Sequence, residues 1–120
     1  SSTDIRLQAK LHVQDYAGSK VAVSQADDMK FSGPASLGKG DFLTIPAKGN
    51  VNGVRFMLSS GSDAEIYVQI TNGGGQFLTV SGTRHCVSGQ NDISFPSTDA
   101  SELRIVIEKG KAVVENIEVY

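Results

Sequence analysis

Between Gly53 and Thr71 the chain alternates apolar and polar residues almost without interruption. Val54, Phe56 and Leu58 alternate with Arg55 and Met57. Ala64, Ile66, Val68 and Ile70 alternate with Glu65, Tyr67 and Gln69. A period of two sends successive side chains to opposite faces of an extended strand, so one face is buried and the other is left for solvent or ligand. Ser60, Gly61, Ser62 and Asp63 between the two arms have turn chemistry, which predicts a hairpin at the centre of a sheet. The outward residues of that hairpin, Arg55, Tyr67 and Gln69, would then form a polar surface around one aromatic ring.

The rest of the chain divides into short extended segments separated by turns. Ile5–Val13 is the first, with Leu7, Ala9, Leu11 and Val13 on one face and Arg6, Gln8, Lys10 and His12 on the other. Gln14–Ser19 reads as a turn. Lys20–Ser24 and Met29–Phe31 read as short strands, and residues 32–40 (SGPASLGKG) as a loop. Asp41–Ile45 is a strand that Pro46 ends. After the central hairpin, Asn72–Gly75 is a turn and Gln76–Ser81 a strand. Ser81–Gln90 is polar and reads as a connection, and Ile93–Phe95 is a strand before Pro96. Leu103–Ile107 leads through a predicted hairpin at Glu108–Lys111 into a terminal strand, Ala112–Tyr120. In that strand Val113, Ile117 and Val119 share a parity that would also bury Glu115, so a bulge or a partner for the carboxylate is required. Phe42, Phe56, Phe77 and Phe95 are expected in the core. No stretch has helical periodicity long enough for an amphipathic helix. The pattern predicts an all-β protein, an antiparallel β-sandwich of jelly-roll type with about nine short strands. It forms one domain over residues 5–120, with residues 1–4 read as a linker remnant.

Composition narrows the function. A chain of 120 residues with 39% apolar and 20% charged residues holds one core. A formal charge of −2 gives no steering toward nucleic acid or an anionic membrane, and no segment is long and apolar enough to span a bilayer as a helix. The two histidines, His12 and His85, are far apart in sequence, and neither has companions at metal-site spacing. Cys86, the single cysteine, sits next to His85, and neighbours on a strand point to opposite sides, a poor geometry for a thiol–imidazole pair. There is no G-x-S-x-G elbow and no phosphate-binding glycine pattern. Asp27 with Asp28, and Asp99 with Glu102, read as solvated loop carboxylates. Nothing here specifies catalysis, and no enzyme is expected.

The order of the segments resembles carbohydrate-binding modules of families 6 and 35. The likeness is carried by IRLQAKLHVQDYAG at the start, by the run from LGKGDFLTIP through the central segment and TNGGGQFLTVSGT, and by ASELRIVIEKGKAVVENIEVY at the end. It implies a galactose-binding-like sandwich that binds a polysaccharide and belongs to a larger secreted protein. Modules of this kind hold a structural calcium between two N-terminal glutamates and an aspartate of the last strand. Gln8, Lys10 and Asn116 stand at the matching positions, so no calcium and no other cofactor is expected. The family's principal sugar cleft lies among loops, where aromatic rings grip the sugar. This chain has no tryptophan, and the matching region offers Tyr16, Leu37, Arg84, His85 and Glu115. The sheet face is the better supplied alternative, with Tyr67, Gln69, Arg55 and Arg104. Two functions follow: a non-catalytic module that anchors its parent to a neutral β-glycan such as β-glucan or xylan, or a structural or protein-interaction domain of the same fold without sugar binding.

Overall fold

A computed structural model of the chain describes residues 12–16, 19–23, 30–73 and 75–120. Among these residues there are eight strands and no helix: β1 (His12–Tyr16), β2 (Ser19–Val23), β3 (Lys30–Gly38), β4 (Phe42–Pro46), β5 (Asn50–Thr71), β6 (Leu78–Thr79), β7 (Arg84–Asp99) and β8 (Glu102–Val119). All neighbouring strands are antiparallel except β2 and β4, which are parallel.

Three strands are unusually long, and their length explains the architecture. β5 and β8 run antiparallel throughout, from Val54 opposite Val119 to Thr71 opposite Glu102. β7 lines the other edge of β5. A straight strand of 22 residues would extend ~70 Å at ~3.3 Å per residue, yet the longest dimension of the molecule is 32 Å. The strands must therefore fold over, and the register shows where. Between Leu58 and Asp63 of β5, the partner positions advance only from Val114 to Lys111 on β8 and from Gly89 to Val87 on β7. Gly61, Gly89 and Gly110 lie at this level with φ of 89°, 108° and 84°, the left-handed region in which a side chain is penalised. The Val113 amide donates to Ser62 Oγ at 3.0 Å, replacing a ladder bond lost at the corner.

The corner divides the molecule into two layers. One contains β1, β2, β4, the first half of β8, the second half of β5, and β6. The other contains β3, the second half of β8, the first half of β5 and most of β7. Their apolar faces form one core, with Leu43, Ile45, Ile66, Val68, Leu103 and Ile105 from the first layer and Val54, Phe56, Leu58, Ile93, Val114 and Ile117 from the second. Truncating a residue as enclosed as Phe56 to alanine costs about 3–5 kcal/mol in such a setting. The result is an antiparallel β-sandwich.

Several sequence expectations need correction. Residues 60–63 and 108–111 do not reverse the chain; both are corners of continuous strands. The expected loop at residues 32–40 is largely β3, which pairs with β8 across a bulge between Ser32 and Ala35 that takes up Pro34 and its cis bond to Gly33. The expected connection at residues 81–90 is mostly the start of β7. Gln14–Tyr16 is strand rather than turn. Phe77 is half-buried and Leu78 is 67% exposed, so the segment around β6 contributes less to the core than its composition suggests. Phe42 is buried but lies outside the main core cluster. Residues 5–11 of the expected first strand lie outside the described residues. The awkward parity of the last strand resolves as anticipated. Asn116 faces Met57 and Val114 faces Leu58, leaving Glu115 as the extra residue of a bulge, and Val114 rather than Val113 is buried. Glu115 also has a partner, accepting the hydroxyl of Ser59.

Candidate functional site

The outer face of the first layer brings chemistry together through register alone. Phe42, Val106 and Tyr67 stand side by side on β4, β8 and β5. Thr44, Arg104, Gln69 and Thr79 form the next row, the last of them on β6. Because this is the face opposite Leu43, Ile45, Ile105 and Val68, an apolar and aromatic row lies directly beside a polar one. The sequence carries the signal for Phe42: it shares the parity of Thr44, while Leu43 and Ile45 share the other.

The polar row is held in place by mutual bonds. Arg104 Nε donates to Gln69 Oε1 at 2.8 Å, and Gln69 Nε2 donates to Thr79 Oγ1 at 3.1 Å. Both ends of the amide are thereby fixed. The Arg104 guanidinium also packs over two rings, 4.2 Å from the Phe42 centroid and 3.8 Å from that of Phe77. Such cation–π contacts contribute about 0.5–2 kcal/mol, more as water is excluded. Arg104 therefore organises the row as well as decorating it.

Beside Tyr67 and Thr79 the surface sinks into an open depression of about 560 Å3, lined by Tyr67, Thr79, Ser81, Gly82, Thr83 and Glu108. Ser81 Oγ accepts the Val68 amide at 3.0 Å, and the Val80 amide donates to the Val68 carbonyl at 2.9 Å, which fastens this wall to β5. Thr83 Oγ1 donates to Glu108 Oε1 at 2.7 Å. Sequence reasoning assigns none of Phe77, Thr79, Ser81, Thr83 and Glu108 to a binding site; it places Phe77 in the core and Glu108 in a turn. The period-two recurrence of hydroxyl residues in T-V-S-G-T was the available signal.

The structure assembles only part of the predicted set. Tyr67, Gln69 and Arg104 come together. Arg55 does not join them: it lies on the half of β5 beyond the corner, 3.2 Å from Asp92 and 3.9 Å from Glu118, with its guanidinium 4.2 Å from the Tyr120 centroid. The Tyr120 hydroxyl donates to Asp92 at 2.7 Å, and that bond raises the phenol pKa. Of the loop candidates, Leu37 is a core residue on β3 with 3% exposure and cannot touch a ligand. Tyr16 falls on β1 rather than in a turn. Glu115 is half-buried and bonded to Ser59. Arg84 and His85 are exposed on β7, opposite Ile66 and Glu65. His85 Nε2 is 2.7 Å from Asp63 Oδ1, and this bond and the carboxylate charge raise the imidazole pKa. Cys86 points into the core, where burial pushes its thiol up to about 11.

Among the described residues no group of three or more His, Cys, Asp or Glu is arranged to hold a metal ion. Gln8 and Lys10 lie outside those residues, and Asn116 is exposed on β8.

No protein-family model and no curated protein sequence matches the chain. Solved structures do. A chitosan-binding module of a chitosanase/glucanase from Paenibacillus sp. IK-5 superposes with a TM-score of 0.54 at 19% identity, covering 76% of this chain and 75% of that one. A CBM32 module from Clostridium perfringens, in complex with GalNAc-β-1,3-galactose, gives 0.56 at 16% identity over 79% and 77% of the two chains. A putative α-L-fucosidase from Bacteroides ovatus gives 0.62 at 17% identity; 93% of this chain is covered, but only 18% of that protein. At these identities the likeness establishes the fold: this chain has the β-sandwich of carbohydrate-binding modules. The modules named here are chitosan-binding and CBM32 domains rather than members of families 6 or 35.

Proposed function

We propose that this chain is a non-catalytic glycan-binding module that holds a larger secreted protein on a β-linked polysaccharide of the β-glucan or xylan type. The observation that carries this reading is the placement of Tyr67 next to a fixed Arg104–Gln69–Thr79 row and on the wall of an open depression lined with hydroxyls. A sugar ring presents apolar C–H faces to an aromatic plane while its hydroxyls seek donors and acceptors around the edge. The polar row sits on adjacent strands and is bonded internally, so little side-chain entropy remains to be lost on binding. An open face suits a polymer, which can enter anywhere along its length. The module makes and breaks no bond; it raises the local concentration of its parent on the polymer. The shared fold with sugar-bound modules supports the same reading.

Retention of the chain on a panel of immobilised β-1,3-glucan, β-1,4-glucan, xylan and chitosan tests the proposal. At least one polymer is expected to retain it, and Tyr67→Ala is expected to weaken retention by about 2 kcal/mol, roughly thirty-fold, from the loss of aromatic surface. Retention on no polymer would leave the fold as a spacer or protein-interaction domain. Retention unaffected by Tyr67→Ala, with the variant still folded, would remove the site from this face.

A further inference from the structure

We infer that the depression beside Tyr67 receives a side branch of the polymer, so that the xylan or β-glucan bound here is a substituted one. Its main chain lies along the rows of the sheet, and a neutral single-sugar branch enters the depression. This inference rests on the glycan-binding reading and narrows its ligand class.

The two parts of the site differ in shape. The row Thr44–Arg104–Gln69–Thr79 runs across four strands, ~14 Å at ~4.8 Å per strand, with Phe42, Val106 and Tyr67 alongside it. The depression leaves this line toward the corner. Ile66 of β5 pairs with Ile107 on one side and Arg84 on the other, and the adjoining residues, Glu108 and Thr83, meet across β5 through their 2.7 Å hydrogen bond. Glu108 is free to do so because the ladder slips: Lys109 stands opposite Glu65 and Ile107 opposite Ile66, so Glu108 is the extra residue between them. The Thr83–Glu108 bond bars the depression at its corner end. A main chain needs a surface open at both ends, whereas a recess barred at one end suits a group that projects sideways from the chain.

Space and chemistry both fit a sugar. The volume of about 560 Å3 falls within the ~300–1,000 Å3 of sites that hold small ligands. Gly82 adds no side chain to the wall, and a Cβ there would have nothing within 4 Å. Ser81 accepts the Val68 amide and Thr79 accepts Gln69, which leaves the proton of each hydroxyl for a ligand. Glu108 accepts Thr83 through Oε1, and among the described residues it takes part in no ion pair, so Oε2 is an acceptor for a sugar hydroxyl. Donors and an acceptor around one recess match a neutral sugar, whose hydroxyls do both. A uronic acid branch would meet the Glu108 carboxylate and be repelled.

The test is calorimetric titration of the 120-residue chain with two matched pairs of oligosaccharides. One pair is xylotetraose and the same chain carrying an arabinose branch; the other is cellotetraose and the same chain carrying a xylose branch. On the main chain that binds, the branched member is expected to bind about five-fold tighter than its linear counterpart, which is what one net hydrogen bond contributes. Gly82→Leu, which fills the recess, and Glu108→Ala, which removes the acceptor, should each bring that ratio to about one, with folding checked by thermal melting. Branched members that bind no tighter than linear ones, with Tyr67→Ala still weakening both, would overturn the branch inference and leave the glycan-binding reading standing. A preference that survives both variants in folded form would also overturn it. Binding of none of the four, with no retention on the polysaccharide panel, would overturn both.

Discussion

The corner through β5, β7 and β8 makes a sharp energetic prediction, because three glycines share a backbone conformation but not a packing environment. Gly61 and Gly89 have nothing within 4 Å of the position a Cβ would take, whereas at Gly110 that Cβ would collide with the Asp63 carbonyl oxygen and sit 3.0 Å from Ala64 Cα. Replacing any of the three with alanine places a side chain at positive φ, at a cost of about 1–2 kcal/mol. At Gly110 the clash is with backbone rather than a movable side chain, and overpacking of this kind adds about 1–3 kcal/mol. Gly110→Ala should therefore lower the unfolding free energy by about 3 kcal/mol, against about 1 kcal/mol for Gly61→Ala or Gly89→Ala. Urea unfolding with linear extrapolation measures each, and a common slope would show that all three variants unfold the same structure. Equal losses at the three sites would refute the close pairing of β8 with β5 at Asp63 and Ala64. So would tolerance of a two-residue insertion after Gly110, which a simple hairpin loop would accept.

Other consequences concern individual groups. Arg104→Ala should cost about 1–2 kcal/mol of stability through loss of its contacts with Phe42 and Phe77 and its bond to Gln69, and should weaken any glycan the chain retains; chemical unfolding and affinity gels read the two effects separately. Cys86, buried with a thiol pKa of about 11, should resist a disulfide reagent at pH 8 in the folded protein and react promptly in urea. The imidazole of His85 should titrate above the ordinary value of 6.5, and Asp63→Asn should bring the midpoint down, both visible in ring-proton chemical shifts. Since the folded pKa is the higher one, the His85–Asp63 pair stabilises fully below pH 6.5 and its contribution fades as pH rises through the folded value. A lowered folded midpoint would contradict the pairing.

Alternation revealed the buried faces because it is a local property. Val54 through Leu58 and Ala64 through Ile70 are buried as their spacing requires, and the β-sandwich class follows from many such segments. The direction of the chain between them was not local. Gly61 and Gly110 do adopt the positive φ that their turn-like surroundings suggest, but positive φ serves a corner as well as a reversal. What decides is the partner: β5 pairs with β8, some fifty residues away, rather than with itself. One hint was present, since the buried residues on both sides of the corner carry even numbers, as a continuing strand requires. Pro34 and Pro96 misled for a related reason, because bulges on strands with a single neighbour tolerate proline. Within the site, Tyr67, Gln69 and Arg104 were legible from outward parity. Arg55 has the same parity but lies beyond the fold-over, and Glu108 reaches the depression through a register slip that no spacing rule announces.

Backbone amide chemical shifts, followed as a retained β-linked oligosaccharide is titrated in, locate the binding face residue by residue. The largest changes are expected at Tyr67, Gln69, Thr79, Ser81, Thr83, Arg104 and Glu108, on one outer face of the sandwich, while Arg55, Asp92, Glu118 and Tyr120 on the other layer stay still. Changes confined to that second layer, or to Arg84 and His85 without Tyr67, would contradict it.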